Sequence, residues 1–169
     1  MKRKIYNQLV EWKRREDGRS ALLIDGARRV GKSWVAEAFA KAEYKSYVLI
    51  DFSKAPKEVK AVFEDDLENL DTLFLKLSTR YGVKLYNRQT LFIFDEVQRF
   101  PRAREAIKTL VADRRYDYLE TGSLVSIDEN VEDIVIPSEE ERIKMFPMDF
   151  EEFLWAKGDE LSMDYIRDR

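Results

Sequence analysis

Apolar residues along the chain recur at two periods, and the switches between them predict the elements. Ile5, Leu9 and Trp12, flanked by Tyr6 and Val10, fall three and four apart, so they line one side of a helix expected over about 2–16 and ended near Gly18. The run Ser20 to Asp25 reads as a first strand and is followed by a glycine-bearing loop. A helix-compatible stretch then runs from Trp34 to Ala42. Ser46 to Asp51 is dense in β-formers and reads as a second strand buried on both faces.

Pro56 opens a short helix containing Val59, Val62 and Phe63. A longer helix follows, with Leu67, Leu70, Leu73, Phe74, Leu77 and Tyr81 as its buried stripe and Gly82 at its end. Thr90 to Phe94 is a third buried strand that stops at Asp95-Glu96. Pro101 starts a helix carrying Ala103, Ala106, Ile107, Leu110 and Val111 on one side. Tyr116 to Glu120 is a fourth strand, closed by Thr121-Gly122-Ser123.

From Leu124 to Pro137 the acidic, weakly periodic sequence predicts an irregular excursion. Arg142 to Met145 reads as a fifth strand, and Asp149 caps a helix through Glu152, Phe153 and Trp155. Strands alternating with helices, and strands without polar alternation, imply an α/β fold with a parallel sheet between helical layers. Ligands of such sheets bind beyond the carboxyl ends of the strands. Three polar clusters fall at such ends: the glycine loop, Asp95-Glu96 and Thr121-Gly122-Ser123.

The glycine loop is the most specific of the three. Gly26-Ala27-Arg28-Arg29-Val30-Gly31-Lys32-Ser33 fits G-x-x-x-x-G-K-[ST], with an apolar strand before it and a helix after it. Gly26 and Gly31 permit backbone angles closed to other residues, so that successive N–H groups converge on phosphate oxygens at the positive end of the next helix. Lys32 is expected against the β- and γ-phosphates and Ser33 on Mg²⁺.

Asp95 ends an apolar strand, where a carboxylate holds Mg²⁺ largely through its water shell. Glu96 beside it can orient, or take a proton from, a water attacking the γ-phosphorus. Ser123 or Thr121 can hydrogen-bond the γ-phosphate or that water, and a plain turn or helix cap explains the same tripeptide equally well. Arginine candidates for the developing phosphoryl charge are Arg28, Arg29, Arg99, Arg102 and Arg142, and spacing does not choose among them. Asp51 caps a turn or faces the phosphate acceptor of a small-molecule kinase. Tyr6, Trp12 and Phe146 are either purine-stacking residues or core.

Composition narrows the chemistry. The 169 residues contain no Cys and no His, which removes disulfides, thiol nucleophiles, imidazole bases and nearly every zinc site. Net charge is −3, so no global field draws the chain to nucleic acid or a bilayer. Seven basic against three acidic residues in 1–19 make DNA a weak candidate at the first helix, while 128–141 holds seven acidic residues and none basic. Met1-Lys2-Arg3-Lys4 leads into Ile5-Tyr6-Asn7-Gln8 rather than an apolar stretch. With apolar runs too short to span a bilayer, no membrane association and a cytoplasmic location are expected.

Taken together, Arg3 with the helix to Trp12, the glycine loop, Phe92 to Gln98, Leu119 to Ser123 and Phe146 to Leu154 resemble the bacterial and archaeal AAA-type P-loop ATPases that carry a further C-terminal domain. The resemblance implies a P-loop NTPase fold with a five-stranded, mostly parallel sheet ordered 5-1-4-3-2. It also implies ATP and Mg²⁺, with Lys32 and Ser33 on phosphate and metal, Asp95 on metal, Glu96 as the catalytic carboxylate and Ser123 near the γ-phosphate. Relatives often carry Gly-Arg before the Pro-Met-Asp-Phe-Glu-Glu stretch, whereas Glu141-Arg142 stands here. An ATPase domain is expected over 1–157, with 158–169 opening a linker or a cut-off C-terminal region. The expected partners are that missing domain and a second copy of the chain. A switch module without appreciable hydrolysis is the alternative function, and a small-molecule kinase stands behind it.

Overall fold

The computed structural model describes residues 4–26, 31–123 and 139–146. At its centre are five strands: β1 (Ala21–Asp25), β2 (Ser46–Asp51), β3 (Thr90–Asp95), β4 (Asp117–Gly122) and β5 (Glu140–Lys144). Their order is β2-β3-β4-β1-β5, which is the expected order read from the opposite edge. Every pairing among the described strands is parallel. The chain therefore has the P-loop NTPase fold.

Parallel pairing demands crossovers; among the described residues α2 (Lys32–Glu43) joins β1 to β2, α3 (Lys57–Asp65) and α4 (Leu70–Tyr81) join β2 to β3, α5 (Pro101–Asp113) joins β3 to β4, and α1 (Lys4–Glu16) precedes β1. One core layer joins Ile5, Leu9 and Trp12 of α1 and Val35, Phe39 and Ala40 of α2 to Leu22, Ile24, Leu91, Ile93 and Leu119 of the sheet. The other joins α3, α4 and α5 to the alternate strand residues, among them Leu23, Ile50, Phe92, Phe94 and Tyr118. Period-2 strands between period-3.6 helices produce both layers, since successive strand residues point to opposite faces.

Local chemistry sets the element ends. The Asn69 side chain accepts the Thr72 N–H at 3.3 Å and caps α4, whose end is the left-handed Gly82 (φ 63°). That cap leaves Leu67 in the turn before α4, packed on the core but outside the helix it was expected to open. Pro101 stands at the first turn of α5. Helix α2 starts at Lys32, directly after Gly31 at φ 94°, two residues before the apolar pattern suggests.

Three strand expectations needed correction. β2 is an edge strand, so Tyr47 and Leu49 are half-buried instead of covered on both faces. β4 runs on through Thr121 and Gly122, which belong to the sheet and are no closing turn. β5 begins at Glu140, two residues early, because Ala21 pairs with Glu140 in the parallel ladder. The expected excursion (124–137), the Asp149 helix and the 158–169 region lie outside the described residues.

Candidate functional site

Parallel registration gathers the carboxyl ends of the strands into one row. Asp51 pairs with Asp95, and Asp25 pairs with both Gly122 and Lys144. The Gly26 N–H donates to the Gly122 carbonyl at 3.2 Å, and the Met145 N–H to the Asp25 carbonyl at 2.7 Å. The glycine loop thus leaves β1 beside the ends of β4 and β5. Ser123 follows Gly122 in that row and is half-buried there.

Of the loop itself, Gly26, Gly31, Lys32 and Ser33 are described, and Ala27, Arg28, Arg29 and Val30 lie outside the described residues. Gly31 has a positive φ of 94°, a conformation that favours glycine and turns the chain into α2. Lys32 is buried, 6 % exposed, and its Nζ donates to the Gly26 carbonyl at 2.7 Å. The lysine thereby spans the loop from end to end.

Ser33 Oγ donates to Asp95 Oδ1 at 2.7 Å. The hydroxyl at the loop's exit and the carboxylate at the end of β3 are therefore in contact across 62 positions of sequence. The same Oδ1 accepts a short hydrogen bond from the Thr121 hydroxyl. Burial pushes the Asp95 carboxyl above the ordinary carboxylate range; the Thr121 and Ser33 hydrogen bonds pull it back, and the Asp51 and Glu96 charges add to the rise. An anion held at that cost is stabilised by a cation placed beside it.

Glu96 leaves β3 in the left-handed region, φ 56° and ψ 49°, where non-glycine residues are uncommon and strain accompanies function. Its N–H donates to Thr121 Oγ1 at 3.1 Å, so one threonine hydroxyl serves both members of the acidic pair. A 3-10 turn, Val97–Arg99, follows at once. Within it, Gln98 Nε2 donates to Glu96 Oε2 at 2.6 Å.

The structure brings Lys32, Ser33, Asp95, Glu96 and Thr121 together at the end of the sheet. It engages other candidates elsewhere. Asp51 accepts the Ser53 N–H and hydroxyl at 2.9 and 2.6 Å, the geometry of a turn cap. Trp12 is 2 % exposed and packs 6.4 Å from Phe39, ring to ring, while Tyr6 meets Phe39 edge-on; both are core. Phe146 is 69 % exposed. Arg102 pairs with Glu105, Arg142 with Glu140, and Arg99 is exposed.

Sequence reading missed two features. Gln98 carried no signal beyond its place two residues after Glu96. The other is a buried acidic pair beside β1: Glu120 and Glu140, with Arg104 making bidentate bonds to Glu140 at 3.1 and 2.7 Å. Burial, and then the Glu140 carboxylate, push Glu120 well above the ordinary carboxylate range. Burial also pushes Glu140 up, but Arg104 and Glu120 hydrogen bonds outweigh it and hold Glu140 below that range. The acidic stretch 128–141 reads as a solvated face, and only packing against α5 shows that Glu140 is ion-paired with Arg104.

The donor set suits a magnesium nucleotide. Mg²⁺ takes oxygen ligands, keeps most of its water and requires only one or two protein groups beside phosphate. Ser33 and Asp95 are such groups, already in contact. Among the described residues no group of three or more His, Cys, Asp or Glu side chains is arranged to hold a metal ion by itself, and no helix is long and apolar enough to cross a membrane.

Fold and site together define a P-loop nucleotide-binding domain. Residues 18–154 match the family described as an AAA domain, and the chain belongs to that family. Among solved structures, Caenorhabditis elegans PCH-2 is similar at 17 % identity and a TM-score of 0.41, covering 95 % of this chain. This chain spans 44 % of that one's length. No curated protein matches.

Proposed function

We propose that the chain binds ATP with Mg²⁺ at the carboxyl end of its sheet and hydrolyses it, using the cycle to bias an attached domain or a partner. The contact that carries this reading is the hydrogen bond between Ser33 and Asp95, 2.7 Å long. It joins the exit of a phosphate loop to a strand-end carboxylate, the two protein groups that Mg²⁺ requires beside a nucleotide. Gly26 through Ser33 (Gly26, Ala27, Arg28, Arg29, Val30, Gly31, Lys32, Ser33) would cradle the phosphates, with Lys32 moving its ammonium from the Gly26 carbonyl to the β- and γ-oxygens.

Bound Mg²⁺ supplies charge neutralisation at the phosphates. Glu96 accepts a proton from the attacking water, and its strained, doubly anchored backbone holds the carboxylate where the chain leaves β3. Ser123, next in sequence to the Gly122 whose carbonyl accepts the Gly26 N–H, would meet the γ-phosphate. The described arginine candidates are paired or exposed, which favours a charge-stabilising arginine from Arg28 or Arg29, from a further domain or from a second copy of the chain. The same observation supports the second reading, a nucleotide-dependent switch that hydrolyses little by itself.

The test measures magnesium ATP binding and phosphate release for wild type, Lys32→Ala and Glu96→Gln. Lys32→Ala is expected to lose binding. Glu96→Gln is expected to keep ATP and to lose turnover by about 10²–10⁴. Turnover that survives Glu96→Gln refutes the assigned base, and binding without wild-type turnover selects the switch.

A further inference from the structure

Gln98 is the polar side chain at the acidic pair that the hydrolysis reading leaves without a task. Its Nε2 donates to Glu96 Oε2 at 2.6 Å. Its Oε1 is buried and meets no hydrogen-bond donor among the described residues. The carboxylate decides which end of the amide faces it, because an ionised glutamate only accepts hydrogen bonds and would repel the amide oxygen. Oε1 is therefore left shielded and unpartnered by chemistry, and a shielded acceptor of this kind calls for a donor that arrives with a ligand or a water.

The backbone shows how two side chains at i and i+2 meet at all. On a regular helix such residues do not face each other. Glu96 is left-handed at φ 56°, and the Val97–Arg99 turn closes with Arg99 N–H on the Glu96 carbonyl at 3.0 Å and Phe100 N–H on the Val97 carbonyl at 3.1 Å. Val97 is fully buried and fastens the turn to the core. On the other side the Glu96 N–H is held by Thr121. A costly backbone angle secured at both ends, which brings Glu96 and Gln98 together, points to a use for that meeting.

Resting on the hydrolysis reading, we propose that Gln98 is a positioning residue: Nε2 fixes the Glu96 carboxylate, and Oε1 accepts one O–H of the attacking water. The water oxygen then bonds to the γ-phosphorus, and the bond from that phosphorus to the bridging oxygen breaks with its electron pair left on ADP. One water proton passes to Glu96, and the hydroxyl that Gln98 holds becomes part of the released inorganic phosphate. Glu96 later returns its proton to solvent.

Gln98→Glu keeps the shape and removes the donor, whereas Gln98→Met keeps the length and removes both polar ends. Both are expected to bind magnesium ATP within about twofold of wild type and to lose roughly 10–100-fold in kcat at nearly constant KM. Adding Gln98→Met to Glu96→Gln is expected to cost nothing further, since Gln98 acts through that carboxylate and its water. A packing role predicts instead that Gln98→Met, which keeps the length and adds no charge beside Glu96, behaves as wild type. Wild-type rates in both variants beside an inactive Glu96→Gln, or additive losses in the double variant, overturn the Gln98 assignment and leave the hydrolysis reading standing. A wild-type chain that binds ATP and releases no phosphate overturns the hydrolysis reading, and this assignment with it. Should one variant fail to fold, the other decides.

Discussion

Thr121 is fully buried, and its hydroxyl donates to Asp95 Oδ1 while accepting the Glu96 N–H at 3.1 Å. Thr121→Val is nearly volume-neutral, so it isolates the hydroxyl. It removes a hydrogen bond to a charged group, about 1.5–3 kcal/mol, and one to a backbone N–H, about 0.5–1.5 kcal/mol. The expected destabilisation is about 2–4 kcal/mol, which for a domain of this size lowers Tm by roughly 4–16 °C at 2–4 °C per kcal/mol. Thr121→Ser keeps both bonds and loses one methyl, about 0.8 kcal/mol. Chemical denaturation of the three proteins gives the order directly. A valine variant as stable as the serine variant refutes the claim that one hydroxyl braces the acidic pair. The valine variant is also expected to lose phosphate release, because Asp95 and Glu96 lose their shared anchor.

Trp12→Ala is expected to cost about 3–5 kcal/mol of stability while leaving nucleotide affinity unchanged by calorimetry; lost affinity in a folded variant would return Trp12 to the base pocket. Burial, and then Glu140, push the Glu120 carboxyl well above its ordinary value of 4.5, so the folded chain keeps that proton to higher pH than the unfolded chain does. Its contribution to stability is therefore largest below that value and is lost as pH rises through the raised folded value. Glu120→Gln is expected to flatten this decline in urea-melt stability across that window, and an unchanged slope contradicts a protonated Glu120. Glu140 has the opposite sign: its contribution is present above its ordinary value and lost as pH falls through the lowered one.

Most of the architecture was written in local pattern. The stripes Ile5-Leu9-Trp12 and Ala103-Ala106-Ile107-Leu110 and the unbroken apolar runs at Leu22 and Phe92 name their periods without help, since a helix and a strand bury different spacings. Gly31, Lys32, Ser33 and the Asp95-Glu96 pair were legible because G-x-x-x-x-G-K-[ST] and an acidic pair closing an apolar strand are fixed residue types at fixed intervals. Tertiary structure decided what depends on distance across the sheet. The β3–β4 register that sets Phe94 beside Glu120 turns Thr121 from a turn residue into the brace of Asp95 and Glu96. Packing on α5 turns Glu140 from a solvated acid into the partner of Arg104, and packing on α2 places Trp12 in the core beside Phe39. Left-handed Glu96 brings Gln98 to its carboxylate. A side chain's type and near neighbours are local properties of the chain, but its hydrogen-bond partner is set by which strands lie adjacent, and adjacency in a parallel sheet joins residues scores of positions apart.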